Sequence, residues 1–124
     1  MHSQNFNTQL IKSNISINIS KFGMSEQYIS FRYLHEILFD MIINNDDSIA
    51  KYRTTIKAIT KSQNITQRTI SYGLNKLLDK CNNPEIISNP LFNLNHRSTY
   101  NKIRVLKHYL HTKLIQSLPH CLTL

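Results

Sequence analysis

Between Thr66 and Lys80 the chain carries Gln67, Arg68, Ser71, Tyr72, Asn75 and Lys76, a set of hydrogen-bonding side chains on one side of a helical repeat. The other side is set by Ile70, Leu74, Leu77 and Leu78, the i, i+4, i+7, i+8 stripe of an amphipathic helix. Such side chains can bond to the edges of base pairs. Arginine reaches guanine O6 and N7 together, and Gln or Asn does the same on adenine. The N-terminal residues of a helix in the major groove carry most base contacts. Gln67, Arg68 and Ser71 are therefore the first candidate base readers, with Asn75 beside them. Thr66, Thr69, Tyr72 and Lys76 are candidate phosphate contacts, together with Arg53, Lys57 and Lys61 just upstream. The competing reading is a solvated polar face with no partner.

Something must hold that helix in place. Ile56 and Ile59 lie three apart on a preceding helix, and Gln63-Asn64-Ile65 reads as a tight turn between the two. Asn64 stands where a left-handed residue is needed, Ile65 would plug the angle, and Thr66 is a good N-cap. Ile59-Thr60, Asn64-Ile65-Thr66 and Thr69-Ile70-Ser71 together resemble the helix-turn-helix of bacterial and phage regulators. The usual string there is Leu-Ala, three variable residues, Gly-Val-Ser, two more, then Thr-Val-Ser. Thr60 replaces the small Ala, and Asn64 replaces Gly. The resemblance implies duplex DNA binding by a transcriptional regulator, most simply a repressor, working as a homodimer. An ordinary helical hairpin is the plain alternative.

Charge agrees with a polyanionic partner. The chain has a formal net charge of +8, unevenly spread. Residues 1–50 hold 3 Lys/Arg and 5 Asp/Glu, a net of −2, whereas residues 51–124 hold 12 and 2, a net of +10. The basic block begins where the helix-turn-helix begins. At 124 residues the chain is expected to form one domain. It shows neither a signal peptide nor a long apolar run, and Cys81 and Cys121 are its two cysteines, so a reducing cytoplasmic setting is expected. Abundant Asn, Ser, Ile and Lys suggest an AT-rich genome, compatible with a mobile element.

The remaining elements follow in order. Residues 1–24 read as a polar arm, its first ten or so residues disordered, with a short strand where Ile15, Ile17 and Ile19 alternate with polar residues. Ser25 is the expected N-cap of a first helix reaching Ile43, whose wide apolar face suggests contacts on two sides. A second helix opens between Ser48 and Thr54 and ends near Ser62. The third spans Thr66 to about Lys80, and Asn82-Asn83-Pro84 stops it. Residues 99–106 admit two readings. As a strand they complete a β-hairpin wing bearing His96, Arg97, Lys102 and Arg104. As a helix capped by Ser98 they join the stripe Ile103, Leu106, Leu110, Leu114 and Leu118. The wing through Val105 is preferred here, followed by a C-terminal helix over 107–118 and a frayed tail.

The expected fold is thus mostly α (α+β): a winged helix-turn-helix over 25–106, with an N-terminal arm over 1–24 and a C-terminal helix and tail over 107–124. Candidate dimer surfaces are the Ile15–Ile19 strand, the first helix and the C-terminal helix. Residues 65–78 followed by a basic hairpin also resemble winged-helix parts of plasmid and phage replication initiators.

Other chemistry finds little support. His108 and His111 sit one helical turn apart, and Cys81, His96, His120 and Cys121 add donors, but neither cysteine has a close partner in the spacing usual for zinc. No cofactor or metal is expected. No nucleophile elbow, phosphate loop or metalloprotease motif occurs, so catalysis is not expected either. A small protein-binding module with a basic face is the reading from another class. RNA binding ranks lower, because aromatic residues do not interleave with the basic ones along the sequence as a single-strand reader would need.

Overall fold

The computed structural model describes residues 2–93 and 98–117, with side chains over 8–92 and 98–116. These residues form helices α1 (His2–Lys21), α2 (Ile29–Ile43), α3 (Ile49–Gln63), α4 (Gln67–Leu78) and α7 (Thr99–Ser117), and the single turns α5 (Pro84–Ile87) and α6 (Pro90–Asn93). None of the described residues is in a strand.

The most apolar helix decides where the others go. Phe31, Leu34, Ile37, Leu38, Met41 and Ile42 of α2 are all buried, which requires cover on several sides at once. Helices α1, α3, α4 and α7 supply it. They contribute Ile15 and Ile19, Ile56 and Ile59, Ile70 and Leu74, and Ile103, Leu106 and Leu110, all buried in one cluster. The wide face of this helix is therefore satisfied within the chain.

Three helices end in the same way. A left-handed residue follows the helix, and the next amide reaches back to a carbonyl five residues earlier. At the end of α1 the left-handed residue is Gly23, and Met24 N–H donates to the Ile19 carbonyl at 3.1 Å. At the end of α2 it is Asn45, with Asp46 N–H to Met41 at 2.9 Å. At the end of α3 it is Asn64, with Ile65 N–H to Thr60 at 3.3 Å. Asparagine tolerates this conformation better than other residues with a side chain. Ser48 then caps α3 by accepting from Lys51 N–H, and Thr66 caps α4 by accepting from Thr69 N–H.

Three expectations are corrected. The Ile15–Ile19 segment is not a strand, and the N-terminal arm is the helix α1. Ile11, Ile15, Ile19 and Phe22 follow a helical spacing and turn inward, while Ile17 is 63% exposed. Reading Ile17 with its neighbours mistook a helical face for an alternating one. Second, Ser25 does not cap α2. Its hydroxyl accepts from Gln27 N–H within a turn, and the helix opens at Ile29 behind an extended Tyr28.

Third, the α+β winged fold gives way to an all-helical one among the described residues. Residues 99–106 form no wing strand but the first half of α7. The Ser98 hydroxyl accepts from Asn101 N–H at 3.0 Å, and Ile103, Leu106, Leu110 and Leu114 pack as one unbroken stripe. A strand would have turned alternate members of that stripe away from α2.

Gly23 links the first helix to the end of α4. Its φ is +95°, and a Cβ there would stand 2.6 Å from the Lys80 carbonyl oxygen. Gly23→Ala is expected to lower stability by about 2 kcal/mol, from the strained φ and the clash together. Urea denaturation monitored by circular dichroism checks this, and an unchanged midpoint would refute it.

Candidate nucleic-acid interface

Helices α3 and α4 are joined by three residues, Asn64, Ile65 and Thr66. The left-handed Asn64 reverses the chain, Ile65 is half-buried against the core, and Thr66 opens the next helix. Gly73 lies on the inner side of α4 with the Ser30 side chain where its Cβ would be, so α4 and α2 approach closely. This packing leaves the first turn of α4 in solvent. Gln67, Arg68 and Thr69 are exposed there. On α3, Arg53, Lys57 and Lys61 stand at four-residue intervals on the exposed side.

The remaining sequence-predicted residues divide. The Thr66 and Thr69 hydroxyls bond to each other at 2.9 Å as part of the cap. Ser71 is half-buried. Asn75 turns towards α7, where its Oδ1 accepts from the Thr99 hydroxyl at 2.8 Å. Tyr72 and Lys76 are both exposed, and the Lys76 ammonium lies 5.1 Å from the Tyr72 ring centroid.

The residues assigned to a wing are not on one. Lys102 is 8% exposed on α7, with Nζ 3.7 Å from Asp79 Oδ1 and 5.9 Å from the Phe92 ring centroid. Arg104 Nε lies 3.7 Å from Asp47 Oδ2, and the buried Lys107 Nζ lies at the same distance. These cations tie α7 to the turn before α3 and to the end of α4. His96 and Arg97 lie outside the described residues. The replication-initiator likeness rested on a basic hairpin after α4, and α7 with its structural lysines occupies that stretch.

The result is a separation of basic residues by role. Arg53, Lys57, Lys61 and Arg68 make no ion pair among the described residues, whereas Lys102, Arg104 and Lys107 all do. Asp79 and Asp47 lie against these three cations of α7, and the four basic residues of the α3–α4 surface have no such partner among the described residues. Asp46 lies in the turn before α3, held below the usual carboxylate range by hydrogen bonds from Ser48. Burial pushes the Cys81 thiol up, which makes it a poor nucleophile. Burial, with the Lys107 charge second, pushes the His111 imidazole down. Among the described residues no group of three or more His, Cys, Asp or Glu could hold a metal ion, and His120 and Cys121 lie outside them.

Two residues past the far end of α4, away from its first turn, escaped the sequence reading. The Lys80 ammonium lies 5.3 Å from the Tyr28 ring centroid, although the two are far apart in the chain. The four-residue spacing from Lys76 to Lys80 was a signal for Lys80, but nothing local pointed to Tyr28.

Comparison with protein-family models, curated proteins and solved structures gives no match to this chain. Among the described residues no helix is long and apolar enough to cross a membrane.

The helix bearing Arg53, Lys57 and Lys61 is anchored by Tyr52, which packs on Tyr100 at a ring separation of 5.3 Å. Burial pushes the Tyr52 phenol up to about 12. The unfolded chain ionises it near pH ~10. Its protonated form therefore contributes stability fully below that pH, and the contribution is lost as pH rises towards 12. Denaturation midpoints measured across the alkaline range should show a smaller alkaline decline for Tyr52→Phe than for wild type. Equal declines would contradict this role for Tyr52.

Proposed function

We propose that this protein binds duplex DNA through α3 and α4 and acts as a sequence-specific regulator of transcription, most simply a repressor. The first turn of α4 enters the major groove, where Arg68 and Gln67 read base edges. Arg53, Lys57 and Lys61 on α3 hold the flanking phosphates. Ser71 sits lower on the helix and supports the contact. Asn75 has no base-reading role in this proposal, because its side chain is bonded to Thr99.

The observation that carries the proposal is the uneven neutralisation of charge. Arg53, Lys57, Lys61 and Arg68 stand exposed on adjoining helices without an ion pair among the described residues, where they can meet a polyanion, while Lys102, Arg104 and Lys107 of α7 lie against Asp79 and Asp47. The three-residue connection with a left-handed Asn64 and a Thr66 cap supports the same reading, since the helix-turn-helix uses a turn of this length. A second copy of the chain would let two such helices read two half-sites, which is how small domains of this kind gain specificity.

Fluorescence anisotropy with a duplex from the gene's upstream region and a pool of random duplexes tests this across a salt series. Wild type is expected to prefer the upstream duplex, with affinity falling steeply as salt rises. Arg68→Ala should weaken that duplex by about 1–3 kcal/mol and erase the preference. Lys57→Ala should weaken all duplexes alike and reduce the salt slope by about one. Absence of duplex binding at low salt would overturn the proposal and favour a protein partner for the basic face.

A further inference from the structure

Arg68, Tyr72, Lys76 and Lys80 follow one another at four-residue spacing along α4 and just past its end, and all four are exposed. Side chains four apart stand on successive turns of one face, so the stripe extends roughly 18 Å. At its far end it meets Tyr28, which precedes α2. The order along the surface is therefore basic, aromatic, basic, basic, aromatic. The sequence hides this alternation because Tyr28 comes from a different part of the chain.

Both rings are accessible, Tyr72 at 63% and Tyr28 at 40%. Each has an ammonium over one face, at 5.1 Å for Lys76 on Tyr72 and 5.3 Å for Lys80 on Tyr28. Neither lysine forms an ion pair among the described residues. Between the start of α2 and the second half of α4 runs a groove of about 590 Å³, with Tyr28, Lys76 and Lys80 on its walls, Ile29 and Leu77 among its lining, and one carboxylate, Asp79, which lies against Lys102. At the floor of the groove the Ser30 side chain packs against Gly73.

We propose that this stripe binds single-stranded nucleic acid. Unpaired bases stack on Tyr72 and Tyr28, and Arg68, Lys76 and Lys80 hold the intervening phosphates. Aromatic platforms combined with a positive track are the arrangement that single strands require. A duplex cannot use the rings in this way, because its base faces are already stacked. An acidic amphipathic helix is a poorer fit, since beside Tyr28 only Ile29 among the groove's lining residues is a large exposed apolar side chain. The proposal does not depend on duplex reading by the first turn of α4, and Tyr28 lies outside that surface.

The test is anisotropy of a labelled oligothymidylate of about twelve nucleotides, a length within the usual site sizes. A blunt duplex is measured in parallel, and thermal melting checks the fold of each variant. Tyr28→Ala and Tyr72→Ala are each expected to weaken strand binding roughly tenfold, in line with the loss of one stacked base. Tyr28→Phe and Tyr72→Phe keep the ring and should stay within about twofold of wild type. Tyr28→Ala should leave duplex binding unchanged.

Strand binding by the alanine variants equal to wild type would overturn the proposal, as would failure of the phenylalanine variants to restore it. Absence of strand binding at low salt, with capture of an acidic helical peptide in its place, would assign the groove to a protein partner. Loss of duplex binding alone would sink the regulator reading and leave this one standing.

Discussion

The structure depends on burying α2. Six large apolar side chains of that helix point in enough directions that no single neighbour could cover them, and α1, α3, α4 and α7 close around it. Burial of side chains of this size is worth roughly 1.5–3 kcal/mol each, so these contacts dominate the packing. The consequence for function is geometric. With Ile70, Leu74, Leu77 and Leu78 committed to the core, α4 has one orientation left for its polar residues. The contact of Gly73 with Ser30 sets how closely it lies against α2.

Electrostatics then sort the basic residues. Lys102 and Lys107 are nearly buried on α7, where an unpaired ammonium would be strongly destabilising, and each lies near a carboxylate. Asp79 and Asp47 are thereby committed to holding α7 in place. The Tyr100 hydroxyl adds to this junction by donating to the Asp47 carbonyl at 2.6 Å. Among the described residues no ion pair reaches α3 or the first turn of α4. Arg53, Lys57, Lys61 and Arg68 therefore keep four positive charges together on adjoining helices.

Backbone chemistry explains how sharp turns are made in a chain with two glycines. Asn45 and Asn64 perform the left-handed step at two helix ends, and Gly23 is kept where the Lys80 carbonyl leaves no room for a Cβ. The turn between α3 and α4 is accordingly specified by three local residues, the left-handed Asn64, the half-buried Ile65 and the capping Thr66. Each of them acts over a few positions.

That locality marks what the sequence by itself determined. The stripe of α4, a helix opening between Ser48 and Thr54, the Asn64 turn and the exposure of Arg53, Lys57, Lys61, Gln67 and Arg68 all follow from periodicity, caps and charge. Such signals complete themselves within one or two helical turns. Other features were undecidable in a short window. Three alternating isoleucines suit a strand as well as a helix until Ile11 and Phe22 are found on the same buried side. Residues 99–106 carry both patterns, and the helix prevails because Ile103 and Leu106 reach the core while Lys102 finds Asp79. The Asn75–Thr99 bond and the meeting of Tyr28 with Lys80 join residues distant in the chain. Only tertiary structure could decide those, because such contacts depend on where whole helices come to rest.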